Sequence, residues 1–488
     1  MGRVREETVR GLKWGVLQKF TMQPIQFIYG ILLARLITPE DFGILGLTGV
    51  FFAIAGQIQN CGFGAALIRK QDRTDADCST VFWYNVLASA ILSSVLFLSA
   101  PLLADFYNQP ALLNITRVSS LLMFLGSTGS VHWSLYSARR DFKTPAIVGM
   151  VNTLIAMPFT IWAAFSGWGY WALMLQGIIS GLLGLIIVWV ISPWRPRLLW
   201  SNQSFKEFFL FGYKLVLRGF SFTIFNNIRT LTIGKFYHPS ALGEFERANH
   251  MAYLPNTWIN SLLGSVTYPI LASIQHDRSR LNLVYRKYIR ITCMCIFMGS
   301  TLLIALCEPI ISLLYGPQWK NCVPYVQILT WAVMTYHIVE LNNNLLLVNG
   351  RSDVPLKVDL CKQFIHLTFM IPALFISVKA VCYVALITSP INLALTLYCS
   401  SRVTGLGIRN QFSDFMPYFL LSTLCALPAY VTSICPLHDA LKILLGTSTS
   451  AALYIFILHT KKDDSLQELL LYIRTSRFCP SRFRYTQS

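Results

Sequence analysis

Three cations, Lys214, Arg218 and Arg229, stand in the apolar stretch 208–234. At 100° per residue they share a helical sector of about 80° with Ser221 and Thr232. Lys19, Gln23, Gln26 and Gly30 fall on a comparable sector of the stretch 14–34, with Pro24 between them to open the helix. A guanidinium presents a planar fork of donors that fits a phosphate bidentately, and an ammonium adds a point charge. The set therefore suits a phosphate or pyrophosphate. An ionisable residue inside a membrane span costs on the order of 2.5–3.5 kcal/mol, so these side chains must face a wet cavity or a partner. Snorkelling to the interface is the competing reading, and Lys214 is best placed for it.

Carboxylates and imidazoles occupy later stretches. Glu246, Asn249, His250 and Tyr253 share one face, with Arg247 adjacent; His337, Glu340 and Asn344 share a second; Asp359, Lys362, Gln363 and His366 share a third. Intramembrane groups of this kind are candidates for a proton or cation relay, which singles out Glu340, His337, Asp359 and Glu246. Mutual neutralisation is the alternative for Asp359 and Lys362. Asn226 and Arg247 join the candidate substrate-binding set, and Gln57, Asn60 and Asn85 are candidates for sugar hydroxyls. The chain carries no G-x-x-x-x-G-K-[ST] phosphate loop, no H-E-x-x-H and no nucleophile elbow. The 12 cysteines lie mostly in apolar stretches without zinc-ligand or C-x-x-C spacing. No enzyme, cofactor or metal is expected.

The elements that must hold these residues are membrane spans. Of the 488 residues 54% are hydrophobic, in stretches at about 14–34, 43–66, 80–104, 112–135, 145–166, 169–191, 208–234, 243–270, 291–315, 324–348, 358–378, 380–400, 413–434 and 440–459. Each approaches or exceeds the roughly 20 residues that cross about 30 Å of hydrocarbon. The runs are continuous rather than alternating, which excludes a β-barrel. The basic N-terminus is followed by an apolar segment too long for a signal peptide and lacking a cleavage site, so it reads as the first span.

Loop charge orients the chain. Twenty-eight Lys and Arg residues fall in every second gap, against only Arg35, Lys235, Lys320, Lys379 and Lys442 in the alternate gaps. The positive-inside rule then makes both termini cytoplasmic. The net charge of +18 reflects loops near anionic headgroups rather than a nucleic-acid partner.

Placing residue n beside residue n+200 aligns Gln18 with Arg218, Gln26 with Asn226, Arg35 with Lys235, Pro39 with Pro239 and Gly43 with Gly243. Both copies occupy the turn after the first helix of a six-helix set, so the repeat is parallel, as in two-lobed transporters. The expected fold is an all-α polytopic membrane protein of about fourteen helices. Residues 1–200 form an N-terminal lobe, 201–405 a C-terminal lobe, and 406–488 two further helices with a tail.

LLARLITPEDFGILGL and GFGAALIR within 30–69, DCSTVFWYN at 77–85, NNIRTLTIGKF at 226–236 and LGEFERANHMAYLP at 242–255 together resemble the Wzx-type polysaccharide flippases. More narrowly, the chain resembles the O-antigen, colanic-acid and exopolysaccharide exporters of the multidrug/oligosaccharidyl-lipid/polysaccharide superfamily. The resemblance covers about residues 8–400. It implies transport of undecaprenyl-diphosphate-linked oligosaccharide to the outer leaflet of a bacterial inner membrane. It also implies partnership with a polysaccharide polymerase and a chain-length regulator, and a prenyl tail lodged on the last two helices. Arg229 stands where many relatives carry an acidic residue, and Glu244-Phe245-Glu246 departs from a more usual Tyr-containing sequence.

Two other readings compete. A drug/cation antiporter of the same superfamily calls for an acidic cavity, whereas these stripes are mainly basic. A membrane polymerase or ligase calls for a large outward loop with catalytic Arg or His, and the outward gaps here are about ten residues or fewer. The charge bias yields a direct test of topology. In a background cleared of native cysteines, a Cys at Arg139 should resist impermeant thiol reagents applied from outside; ready labelling there would overturn the orientation.

Overall fold

A computed structural model describes residues 21–351 and 353–468, which are α-helical apart from turns, short connections and one 3-10 segment, Pro317–Cys322. The helices are α1 (21–36), α2 (Pro39–Asn60), α3 (Phe63–Arg69), α4 (Asp75–Tyr107), α5 (Ala111–Ser127), α6 (Ser130–Ala138), α7 (Lys143–Phe165), α8 (Tyr170–Ile191), α9 (Asn202–Phe236) and α10 (Pro239–Ser273). Then follow α11 (Arg278–Ala305), α12 (Cys307–Leu314), α13 (Val323–Val333), α14 (Tyr336–Val348), α15 (Asp353–Leu374), α16 (Val378–Thr404), α17 (Ile408–Cys425), α18 (Leu427–Ile434) and α19 (Asp439–Thr460). They form two compact units that divide within α10, between Glu246 and Arg247. The lobes read from the sequence divide at residue 200 instead. The difference arises because α9 packs along α2, α3 and α4 of the first unit.

Local chemistry sets the helix starts. Thr38 and Asp41 form a capping box ahead of α2 with Pro39 in its first turn, and Thr74 and Asp77 form another ahead of α4. Asp41 also accepts from the Tyr170 backbone N–H at 3.1 Å, joining the start of α2 to that of α8. Lys70 donates to Asp77 at 3.1 Å and to Glu207 at 3.2 Å, tying α4 to α9. Partial burial works against the Lys70 charge, but these two carboxylates outweigh it and hold the ammonium above its ordinary range. Its contribution to stability is therefore complete at neutral pH and is lost only as strongly alkaline pH deprotonates the amine.

The outside of the first unit is built for lipid. On α4, Leu87, Ile91, Val95, Leu98 and Leu102 recur every three or four residues and are 57–74% exposed, while Asn85, Ser89 and Ser93 turn inward. That pattern inverts the one water selects. Ten helices among the described residues are long and apolar enough to cross a membrane, or eleven if α5 and α6, bent by 44°, count as one span. Three stretches of the fourteen-span reading lie outside this number. The first is described only from residue 21, and the other two fall in α10 and α15, whose sequences carry more polar and charged residues.

Glycine decides how closely α2 can lie along α9. Gly234 accommodates Leu47, Gly219 accommodates the Gln57 amide, and Gly212 meets the Cys61 carbonyl at the α2–α3 junction. At the end of this seam the contact becomes reciprocal. A Cβ on Gly43 would run into the Pro239 carbonyl oxygen, and a Cβ on Gly243 into that of Pro39. Backbones approach this closely only where both partners lack side chains.

In the second unit α11 is the central helix. Its Tyr285, Ile289, Cys293 and Phe297 are buried against Met334 and Ile338, Leu397 of α16, Phe415 and Tyr418 of α17, and Tyr454 and Leu458 of α19. Its charged end is latched by Asp414 of α17, a buried carboxylate taking Arg286 Nε at 2.6 Å and Arg290 Nε at 2.8 Å.

The seam predicts opposite outcomes for one chemical change. Gly43→Ala should lower the melting temperature in detergent, at a cost of about 1–3 kcal/mol or more because the obstacle is backbone. Gly49→Ala, where nothing lies within 4 Å of the added carbon, should be neutral or mildly stabilising. Equal melting temperatures for both variants and the parent would remove the close contact.

Candidate functional site

The polar seam of the first unit gathers part of the expected substrate-binding set. Thr230 of α9 donates to Glu246 of α10 at 2.6 Å, and the Arg229 guanidinium lies 5.7 Å from the centre of the Phe245 ring. Glu246 is thus an acceptor for a hydroxyl on the neighbouring helix. Gln57 is exposed beside Gly219, and Asn60 donates to the Gly56 carbonyl at 3.0 Å at the end of α2. On α1, Gln23 is half-buried and Gln26 exposed. Lys19 and the side chains of Lys214, Arg218 and Asn226 lie outside the described residues. Asn85 is not available to a sugar as expected, because it is buried and donates to Ser130 Oγ at 2.8 Å.

The second unit holds the other candidates, and it separates two that the sequence put together. His337 is fully buried, with Nε2 3.1 Å from Cys293 Sγ and its ring edge-on to Phe297. Glu340 is exposed and accepts from the Tyr336 hydroxyl at 3.0 Å. Three residues along a helix is a turn of about 300°, and this 60° difference is enough to put one side chain in the core and the other outside it. The electrostatic partners of Glu340 lie on α15. Lys362 pairs with Asp359 at 3.4 Å and also feels the charge of Glu340. Tyr336, which is edge-on to Tyr253, feels both carboxylates. Arg247 lies 6.0 Å from the centre of the Tyr315 ring, His250 is exposed, and His366 shares a hydrogen bond with Thr388 at 3.2 Å.

Hydrogen bonds, rings and charges of this kind bind and orient. Comparison with known proteins decides the family. The model of the polysaccharide biosynthesis protein family matches residues 32–324. The chain belongs to that family.

Relatives extend the match along the chain. Teichuronic acid biosynthesis protein TuaB of Bacillus subtilis is 23% identical over 96% of this chain and 99% of its own length. Lipopolysaccharide biosynthesis protein WzxC of Escherichia coli is 23% identical over 88% of this chain and 87% of its own. Among solved structures, the lipid II flippase MurJ in an inward closed conformation superposes with a TM-score of 0.68 at 16% identity, covering 94% of this chain and 99% of that one. The chain therefore shares the fold of that flippase. This member of the polysaccharide biosynthesis family is a multipass protein by the length and composition of its helices.

Sequence reasoning passed over one cation within an apolar stretch. Arg117 of α5 lies 5.1 Å from the centre of the Phe97 ring of α4, and its Nε is buried without a hydrogen-bond partner. The signal was present in the charge ledger, since Arg117 belongs to neither set of loops.

The separation of His337 from Glu340 is measurable by a double-mutant cycle on thermal stability. Glu340→Gln combined with His337→Asn should be additive within about 0.5 kcal/mol, whereas Glu340→Gln combined with Lys362→Gln should couple more strongly. Strong coupling in the first pair and none in the second would reverse the assignment.

Proposed function

We propose that this exporter moves undecaprenyl-diphosphate-linked oligosaccharide repeat units from the cytoplasmic to the outer leaflet by alternating access, for O-antigen, exopolysaccharide or capsule assembly. The observation that carries the reading is the reciprocal contact of Gly43 and Gly243 with Pro239 and Pro39. These residues are equivalent under the 200-residue repeat, and the charge rule puts them at the outward ends of their helices. In this proposal the contact, which lies within the first unit, closes the outward end of the α2–α9 seam, and a rocking motion about that seam opens it. The two-lobed, fourteen-span arrangement belongs to this proposal. So do its lobe limits at residues 200 and 405, and a polymerase and chain-length regulator as downstream partners.

In this reading the diphosphate is held by Arg218 and Arg229 with Lys19, while Gln23, Gln26, Asn226 and Arg247 bound the sugar path. The prenyl tail stays in lipid along the last two helices, α17–α18 and α19. A guanidinium over an aromatic ring, as Arg229 is over Phe245, keeps its edge donors available to a phosphate. Coupling to an ion gradient is assigned to Glu340 and Asp359 with Lys362 between them, since protonating either carboxylate changes the charge of a partly buried group. Glu246, held by Thr230, and the buried His337 are weaker candidates on the same geometry.

Export complementation in a deletion strain tests the cationic assignment. Arg218→Ala and Arg229→Ala should abolish polysaccharide export at normal protein level, with lipid-linked oligosaccharide accumulating on the inner leaflet. Lys at either position should restore only part of the activity because it lacks the planar fork. Normal export by both alanine variants would exclude these residues as the diphosphate site.

A further inference from the structure

Two buried cysteines stand at the ends of a short hairpin in the second unit. Its first arm, α12, begins at Cys307; after Tyr315 and Gly316 the second arm, the 3-10 segment Pro317–Cys322, leads into α13. Gly316 makes the reversal at a φ of +96°, a conformation that favours glycine, and its N–H donates to the Ile311 carbonyl at 3.1 Å. Eight residues of α-helix rise about 12 Å and six of 3-10 helix also about 12 Å, so arms of equal length bring Cys307 and Cys322 level at the base.

The contacts agree with that geometry. Cys307 Sγ lies 3.6 Å from the carbonyl oxygen of Val323, the residue after Cys322, and both cysteines are fully buried. The charge of a Cys322 thiolate would act on Cys307 more strongly than the carboxylate of Glu308 does, although Glu308 is the next residue in the chain. Lys320 of the second arm belongs to the gaps that are poor in Lys and Arg, and the positive-inside rule therefore puts the hairpin on the outward side. Thiols there are not held reduced by glutathione or thioredoxin.

We propose that Cys307 and Cys322 form a disulfide that staples the start of α12 to the start of α13, an assignment that rests on the outward placement of the hairpin. Two thiols give up two electrons and two protons as the S–S bond forms, and an extracytoplasmic protein disulfide of the thiol-oxidase class takes them and becomes a dithiol. One thiolate attacks the carrier to give a mixed disulfide, and the second displaces the carrier. Both sulfurs are buried in the folded unit, so the exchange precedes packing of the hairpin. The loop so closed holds Tyr315 and the fully buried Trp319, whose rings meet edge-on at 5.9 Å, and the Arg247 guanidinium lies 6.0 Å from the centre of the Tyr315 ring. The staple thus fixes the aromatic wall beside one of the cations assigned to the sugar path.

Peptide mapping of the full-length protein tests the bond. Cells are lysed in excess N-ethylmaleimide, and the purified, denatured protein is cut with trypsin, which cleaves after Lys320 between the two cysteines. Peptides 291–320 and 321–351 should appear as one linked species that reductant separates, and Cys307→Ala should abolish it. A link that survives Cys307→Ala would put the bond on Cys293 or Cys295 and overturn the pairing. Both thiols alkylated, and still unlinked after the purified protein is treated with copper-phenanthroline, would overturn it on geometry. Thiols alkylated in cells but linked by that oxidant would overturn the native disulfide and place the fault in the outward orientation, since the two sulfurs would then be close but kept reduced. Melting temperature in detergent gives an independent reading. Cys307→Ala, Cys322→Ala and the double variant should each fall by several degrees and by about the same amount, because any of them breaks the same bond. A double variant that loses the sum of the two single losses would show two separate thiols and overturn the staple.

Discussion

Hydrocarbon offers no hydrogen-bond partner, so each polar group in a span must find one inside the protein. The hydroxyl-bearing residues show the local answer. Thr48, Thr160, Thr301 and Thr330 each donate to the carbonyl four residues back, which satisfies the hydroxyl within its own helix. Asn85 and Ser89 show the tertiary answer, donating from α4 to Ser130 Oγ and to the Met123 carbonyl. With polar groups turned inward, the apolar stripe of α4 faces lipid.

Close helix approach in such a medium cannot rely on expelling water, and van der Waals contact takes over. That is why the α2–α9 seam is written in glycine. Gly212, Gly219 and Gly234 remove side chains from α9 where α2 and α3 need the space, and Gly43 and Gly243 do the same for each other. The seam carries polar residues at its margin, with Gln57 beside Gly219 and Thr230 bonded to Glu246. Tight packing thus comes from the small residues of the seam, and the polar side chains stand at its margin.

Charge in the second unit is managed in two ways. Asp414 is buried with two arginines on it, an arrangement that is costly to break because the carboxylate would be left without compensation. Asp359, Lys362 and Glu340 form a group whose carboxylates are partly or wholly open. The first is a latch. The second is where coupling is proposed.

The sequence by itself determined the membrane class, the orientation, the family and the existence of intramembrane charge. Each of these depends on composition along the chain, and hydropathy and loop charge are read without knowing any contact. The pairing of Pro39 with Pro239 and Gly43 with Gly243 was legible as a numerical repeat, but nothing in it said that the paired residues touch. Only the tertiary structure decided which face of a helix is buried. It put His337 into the core and Glu340 outside it, removed Asn85 from the sugar path, and grouped α9 with the first unit. Helical periodicity gives a residue's angle about its own axis, whereas burial depends on what lies across from it, and that is set by neighbours distant in the chain.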